Sequence, residues 1–411
     1  VIHKFKGLNK ILVIKLRHIG DVLLTVPVFR ALRETFPDAY IAALVNSGTE
    51  DVLNGIPLLN EILSYDRRIK QLSLTKKYLR EIKFLRHIRN KRFNMTIDLT
   101  GGDRAAIISL ASGAKYRIGW EPKKGFIGKK YLYTHVAKPD GKMHMVLQNL
   151  EIIRQYGITT ENLSIDFHIP EEDRIFIRKI LEENCSSSPS HPRLLKGVRR
   201  EGKGCAVGFR DTIVHVHPAS RWLFKCWKDE YMADIIKWML DRDITVIVTS
   251  SPEVREIDKV KKILSLVCEL TPPSHPPLDK GGHRGVIDLC GKTTIKQLGA
   301  ISEVSDLFFG VDSAPMHVSA AVGTPVVALF GPSGVYNWGP WDNKNSKFKN
   351  PYIQKNGIQT FGIHTVIQRD WECVPCGKDG CRGSKISKCL EDIKMEEIKN
   401  ILKNKLEKIR K

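Results

Sequence analysis

Three short stretches of this sequence carry side chains whose types and spacing suit chemistry on a charged substrate. In Lys15-Leu16-Arg17-His18-Ile19-Gly20-Asp21-Val22 a glycine and a carboxylate fall where a strand gives way to a helix. Two readings of Asp21 are open on that pattern. It is a helix cap whose oxygen accepts backbone N–H bonds, or a general base held where α/β sheets bind their ligands. In His217-Pro218-Ala219-Ser220, followed by Lys225-Cys226-Trp227, a small-residue turn offers N–H groups and the lysine a point charge to a diphosphate. A lone lysine is ordinarily just solvated; this one stands between a strand end and a helix. The third stretch, Phe308-Phe309-Gly310-Val311-Asp312-Ser313-Ala314-Pro315-Met316-His317, runs on to Gly323-Thr324-Pro325. Here a strand ends at Asp312, Ser313 can cap, and Pro315 fits a first helical turn. Aligned N–H dipoles at that helix start favour phosphate. His317, one turn further, is either a packed core histidine or a ligand contact.

Other patterns carry less. Gly197-Val198-Arg199-Arg200-Glu201-Gly202-Lys203-Gly204 imitates a phosphate-binding loop, yet Gly204 stands where a Ser or Thr must reach magnesium and no strand precedes it. A nucleoside triphosphate site is excluded there. Cys373, Cys376, Cys381 and Cys389 have the number for a four-thiolate structural metal site. Their spacing is not that of paired zinc knuckles, and the expectation is free buried thiols. With no base nearby in sequence they are not nucleophiles. Nine cysteines, an odd count with five scattered, fit a reducing compartment.

The three stretches need strand ends to hold them, and the chain supplies a regular series. Lys10-Ile11-Leu12-Val13-Ile14-Lys15 reads as a buried strand. Residues 21–36 place Val22, Leu23, Val26, Phe29, Leu32 and Phe36 at helical spacing until Pro37-Asp38 breaks it. Strands follow at 40–45 and 94–99, with a basic helix at 78–90 between them. In the second half, strands at 212–216, 244–249, 286–289, 307–311 and 325–329 alternate with helices at 229–240, 253–267, 294–304 and 314–322. Such alternation builds parallel sheets covered by helices on both faces. A chain of 411 residues suits two cores. The expected fold is α/β: two Rossmann-like, doubly wound domains facing across a cleft, with ligands at the carboxyl ends of the strands. Pro-, Gly- and Ser-rich stretches at 189–197 and 273–281 echo each other but lack apolar positions able to stack, and so predict surface insertions. The predicted divisions are 1–185, a linker or insertion at 186–204, a second domain at 205–370 interrupted at about 271–285, and a cysteine-containing extension with a C-terminal helix at 371–411.

Taken in order, Arg17-His18-Ile19-Gly20-Asp21-Val22 with Pro27, His217-Pro218-Ala219-Ser220 with Lys225 and Trp227, and Asp312-Ser313-Ala314-Pro315-Met316-His317 resemble glycosyltransferase family 9, the ADP-heptose:lipopolysaccharide heptosyltransferases. The likeness runs over nearly the whole chain apart from the two insertions. Trp371-Glu372-Cys373-Val374-Pro375-Cys376, with Gly380-Cys381 and Ser387-Lys388-Cys389, looks like the heptosyltransferase III branch. The resemblance implies a GT-B fold, an inverting reaction, and neither metal nor other cofactor. It implies transfer of L-glycero-D-manno-heptose from an ADP-heptose donor to a lipopolysaccharide core acceptor, the first domain on the acceptor side and the second binding the nucleotide sugar. By the same carry-over Asp21 is the base and Lys225 holds the donor diphosphate. Asp312, with the turn at Ser313 and Ala314, binds sugar and phosphate, and His317 and Ser220 belong to the same site. Glu253 matches a ribose-binding acid, although Ser250-Ser251-Pro252 stands where the family often shows glycines.

Lys plus Arg number 66 against 45 Asp plus Glu, a formal charge of +21. That surplus concentrates anionic partners without choosing among nucleic acid, anionic membrane and phosphorylated substrate. A hydrophobic content of 42% in regular runs excludes a disordered chain. No apolar run approaches the roughly 20 residues of a membrane span, and the opening residues carry no signal-peptide core. The expectation is a cytoplasmic protein, peripheral on the inner membrane. Arg80, Lys83, Arg86, Arg89, Lys91 and Arg92, with Lys123, Lys124, Lys129 and Lys130, predict its anionic-membrane face. Nucleic acid is not an expected partner, since no nucleic-acid module or aromatic stacking pattern accompanies the charge. The rival enzyme, a nucleotide-sugar epimerase on the same scaffold, would need no acceptor; Gly20-Asp21 speaks against it by the resemblance.

Overall fold

Ile11-Leu12-Val13-Ile14 lies wholly buried at the middle of a parallel sheet, the place that an uninterrupted apolar run dictates. The computed structural model describes residues 5–71, 73–122, 125–185, 212–270, 286–344 and 347–410. Its chain forms two units, one from the residues up to His168 together with Asn343–Pro351, the other from Ile169–Asp342 and Tyr352 onward.

The first unit runs β1 (Lys10–Lys15), α1 (Ile19–Leu23), α2 (Val26–Thr35), β2 (Tyr40–Asn46), β3 (Glu61–Tyr65), α3 (Leu74–Asn90), β4 (Met95–Asp98), α4 (Asp103–Ala111), β5 (Tyr116–Trp120), β6 (His135–Ala137) and α5 (Met145–Arg154). All six strands are parallel, in the order β3-β2-β1-β4-β5-β6. Leu12, Ile14, Ala42 and Leu44 pack on Ile88, Ala105 and Ile108 from the helices on one face. The single helix expected at 21–36 is two. Thr25 Oγ1 donates to Val22 O at 2.6 Å, and Pro27, which has no N–H to continue a ladder, sits in the first turn of α2.

The second unit adds α6 (Glu171–Cys185), β7 (Ile213–His217), α7 (Asp229–Leu240), β8 (Thr245–Val248), α8 (Val254–Glu269), β9 (Val286–Asp288), α9 (Ile295–Val304), β10 (Leu307–Val311), α10 (Ala314–Ala321), β11 (Val326–Phe330), α11 (Val335–Trp338), β12 (Gln359–Phe361), β13 (His364–Gln368), α12 (Lys388–Glu391) and α13 (Met395–Arg410). Its sheet reads β12-β13-β11-β10-β7-β8-β9, parallel except for the β12–β13 hairpin. Thr294 and Gln297 close a reciprocal capping box on α9.

Two divisions differ from the sequence-based ones. Helix α6, expected at the end of the first domain, belongs to the second unit, where Arg174 grips Glu303 of α9 through two hydrogen bonds of 2.7 and 2.9 Å. The stretch expected as an extension beyond 371 shares the second unit's core: Leu390, Ile393, Ile398 and Leu402 join Ile236, Met239 and Val248. In the other direction, Asn343–Pro351 returns to the first unit. Asn343 accepts from Ile165 N at 2.8 Å and Asn350 from His144 N at 2.8 Å, while the Arg154 guanidinium lies 4.6 Å from the Phe348 ring centre. The insertions predicted at 186–204 and 271–285, and the loop-like decoy ending at Gly204, lie outside the described residues, as do Lys123 and Lys124.

Candidate functional site

At the carboxyl edge of the first sheet the turn after β1 is tied down from both sides. Leu16 N donates to Thr100 Oγ1 at 2.8 Å, and Asn46 Nδ2 donates to Arg17 O at 2.9 Å. This fixes the start of α1, where Asp21 falls in the first turn, half-buried. His18 holds the N-cap position, and among the described residues no group hydrogen-bonds the Asp21 carboxylate, so the capping reading has no bond behind it. Its electrostatic neighbour is Lys15, a residue to which the sequence pattern assigns no role. Lys15 is buried at the end of β1 and donates to Leu99 O at 3.2 Å and Asn149 Oδ1 at 2.9 Å. Burial lowers its pKa to about 8, against the opposing pull of the Asp21 and Asp98 charges. Asn149 on α5 in turn donates to Leu24 O at 3.0 Å, so one amide ties the lysine to the end of the Asp21 helix.

Asp98, at the end of β4, is a second buried acid outside the sequence-based set. Burial raises its pKa, and Tyr133 Oη at 2.6 Å with the N–H groups of Thr100 at 2.7 Å and Gly101 at 3.1 Å works against that rise. Beside this edge lies a cavity of about 700 Å³, lined among others by Arg17, His18, Arg67, Lys77 and Arg104. Two acids share its wall, and both have cationic partners: Glu81 pairs with Arg104 at 3.2 Å, and Asp103 with Lys129 at 3.1 Å. Arg17, Arg67 and Lys77 have no carboxylate partner among the described residues. The surplus favours an anionic occupant.

In the second unit the structure joins two of the sequence's stretches by a bond. Lys225, on the short turn Leu223–Lys225 after β7, places Nζ 2.7 Å from Asp312 Oδ2 at the end of β10. Asp312 is buried, and its own N–H donates to Leu329 O at 3.1 Å. An ammonium has three donors, so this pairing leaves others for a ligand. Ser313 and Ala314 open α10 directly beyond Asp312. Here the capping expectation is corrected: Ser313 occupies the N-cap position, but its extended backbone leaves the side chain bonded to no helix N–H, and Oγ is buried without a hydrogen-bond partner. The first-turn N–H groups of α10 therefore have no side-chain cap. His317 is buried one turn in, and Ser220 is buried in the loop after β7, its Oγ accepting from Trp222 N at 3.4 Å.

A buried polar chain fixes these strand ends. Thr249 Oγ1 lies 2.8 Å from both His217 Nδ1 and His215 Nε2; His215 Nδ1 meets Ser302 Oγ, Ser302 meets Ser319, and Ser319 donates to Pro315 O in the first turn of α10. Burial lowers the His217 pKa to about 3 and pushes His215 well below its ordinary value, so both rings are neutral hydrogen-bonding groups. From the other side, Ser387 Oγ donates to Phe224 O at 2.6 Å and Trp227 Nε1 to Ile393 O at 3.2 Å, pinning the turn that carries Lys225. Glu253 sits at the start of α8, exposed, its carboxylate without a partner among the described residues. The buried acid there is Glu256, 4.0 Å from His217 Nε2.

Cys373, Cys376 and Cys381 are electrostatic neighbours of Cys389, yet among the described residues the four form no metal-holding group. Nor are they uniformly buried: Cys373 and Cys376 are exposed, Cys381 half-buried and Cys389 buried. Lys129, expected on the basic surface, is buried instead, its ammonium drawn to Gly101 O at 2.6 Å and to Asp103.

The family model for glycosyltransferase family 9 (heptosyltransferase) matches residues 81–360, a span that includes Lys225 and 312–317 but not Asp21. The chain is 30% identical over 335 residues to lipopolysaccharide heptosyltransferase 3 of Escherichia coli K12, covering 81% of this chain and 86% of that protein. Among solved structures it is similar to the glycosyl transferase family 9 protein of Veillonella parvula, with a TM-score of 0.70 at 18% identity over 97% of each chain. It is also similar to E. coli ADP-heptose lipopolysaccharide heptosyltransferase II, with a TM-score of 0.66 at 19% identity, covering 97% of this chain and 99% of that one.

Proposed function

The chain belongs to glycosyltransferase family 9 and has the GT-B fold, and from that premise we propose that it transfers L-glycero-D-manno-heptose from ADP-heptose to the inner core of lipopolysaccharide with inversion. The observation that carries this reading is Lys225, held by Asp312 beside the uncapped start of α10, where the remaining ammonium donors and the first-turn N–H groups suit a diphosphate. In the proposed reaction Asp21 takes the proton of an acceptor hydroxyl, which is too weakly acidic to attack unaided. The acceptor oxygen forms its bond to the anomeric carbon as the bond to the diphosphate oxygen breaks. Lys225 and the α10 N–H groups stabilise the charge that accumulates on the departing ADP. Glu253 is the proposed ribose contact, and Ser220 and His317 complete the donor site.

We place the enzyme on the cytoplasmic face of the inner membrane, held by basic surface. Arg80, Lys83, Arg86 and Arg89 are exposed on α3, and each such residue near an anionic bilayer contributes about 1 kcal/mol. Among the described residues no helix is long and apolar enough to cross a membrane. The test is a donor screen with purified protein and core-truncated lipopolysaccharide, read by mass. A gain of one heptose with ADP-heptose is expected; hydrolysis or epimerisation of the donor without a gain on the acceptor would overturn the reading.

A further inference from the structure

Basic side chains are not the only feature of the first unit's helical face. On α3, the side that packs inward is the stripe through Lys77, Glu81, Phe84, Leu85 and Ile88. Beside it, one flank of the helix presents Leu74, Tyr78 and Ile82 at four-residue spacing, with Leu79 alongside, all exposed; Leu74 and Leu79 are 69% and 68% accessible. The neighbouring α4, bound to α3 through the Arg104–Glu81 pair, exposes Ile107 and Leu110. The next turn of chain, tied to α4 by the Lys129–Asp103 pair, exposes Ile127 completely and Tyr131 by three quarters. Single exposed apolar residues are ordinary, whereas here three elements bonded in series, α3 to α4 and α4 to the turn at Lys129, each present them.

We propose that this α3–α4–Ile127 surface inserts its apolar side chains into the interfacial region of an anionic phospholipid bilayer. The inference rests on the lipid-linked acceptor proposed above and deepens it. Charge selects the occupant. Helix α3 has six Lys and Arg against one acid, Glu81, and that acid is engaged by Tyr65 and Arg104. A second copy of the chain would bring like charge against like charge, while an anionic headgroup layer complements the rim and its acyl boundary takes the apolar side chains. Basic residues then govern the approach and apolar ones the hold. The surface also has a place in the reaction: Tyr78 and Ile107 belong both to it and to the lining of the 700 Å³ cavity with its surplus cations. An anionic saccharide still anchored in the leaflet would reach that cavity along the interface.

The test uses the full chain and a triple variant, Leu79→Ser, Ile82→Ser and Ile127→Ser, whose positions lie outside the cavity lining. Binding is measured to phosphatidylglycerol–phosphatidylcholine vesicles over a salt series, with the thermal transition as a control on folding. The parent should keep part of its binding at high salt; the variant should bind only at low salt and roughly tenfold or more weakly at physiological salt. In a separate Ile127→Trp chain, the emission remaining after subtraction of the parent's seven tryptophans should shift to the blue on vesicles and be quenched by brominated acyl chains. A triple variant that binds like the parent throughout the series, an Ile127→Trp emission that vesicles leave unshifted, or loss of self-association in place of vesicle binding would overturn the proposal. These readouts need no acceptor, so they stand even if no heptose is transferred. With a deacylated, water-soluble core acceptor the triple variant should match the parent, and with vesicle-embedded acceptor it should lag.

Discussion

Asp21 and Lys15 stand at one strand end: the half-buried Asp21 carboxylate accepts no hydrogen bond among the described residues, while the Lys15 ammonium is enclosed. If Asp21 is the base, Asp21→Asn should leave donor binding and the thermal transition nearly unchanged while turnover falls by about two to four decades. A fully active variant would return Asp21 to a structural role. Lys15 gives a different signature. Its folded value of about 8 lies below the ordinary 10.5, so between those values the unfolded chain holds a proton that the folded chain lacks. Folding thus bears a cost below about pH 8 that is relieved as pH rises through the window. In Lys15→Met, which has no proton to lose, that rise should vanish. Chemical denaturation of both proteins from neutral pH to about pH 10 checks it; parallel pH profiles would mean that the ammonium is not desolvated.

At the scale of elements, the turn that carries Lys225 is held by parts far away in the chain. Ser387 and Phe224 are separated by 163 positions, and Leu390 of α12 is fully buried against Gly331. Leu390→Ala should cost about 2–5 kcal/mol of stability, and should also weaken donor affinity by loosening the Lys225 turn. Urea unfolding with a donor titration separates the two effects; stability lost with donor affinity intact would make α12 a packing element only. This remoteness also explains what sequence can and cannot disclose. Buried parallel strands read as apolar runs, so β1, β7, β8 and β10 are legible within a residue or two. Strands such as β5, with its Tyr-Arg-Ile-Gly-Trp, and β12 lack that run and escape notice. The strand-to-helix turns bearing Asp21, Lys225 and Asp312 are legible because local pattern marks them. The Thr249 relay, the Lys15 burial and the pinning of Lys225 depend on pairs dozens to hundreds of residues apart, for which one sequence offers no signal.

For the molecule as a whole, charge and chain length act more simply. The surplus of +21 belongs to the full sequence, so salt should weaken every encounter with anionic vesicles before it alters the fold. Composition predicts surface insertions at 187–204 and 272–285, which lie outside the described residues; replacing them with short Gly-Ser links should then cost little stability, because closure entropy grows only logarithmically with loop length. A thermal midpoint matching the parent within a few degrees is the expected result; a collapsed transition would show that these stretches pack against the units.

The path of the chain at residues 342–352 carries a consequence for swapping parts between relatives. Asp342 Oδ2 accepts from Ile363 N in the second unit, while its neighbour Asn343 is bonded to Ile165 in the first. Neither unit is therefore a continuous segment of gene. A chimera that takes 1–168 from this protein and the remainder from a relative would inherit foreign partners for His144, Arg154 and Ile165. Cassettes that exchange the first unit should carry 343–351 with it, since a junction at 168 alone divides that unit's fold.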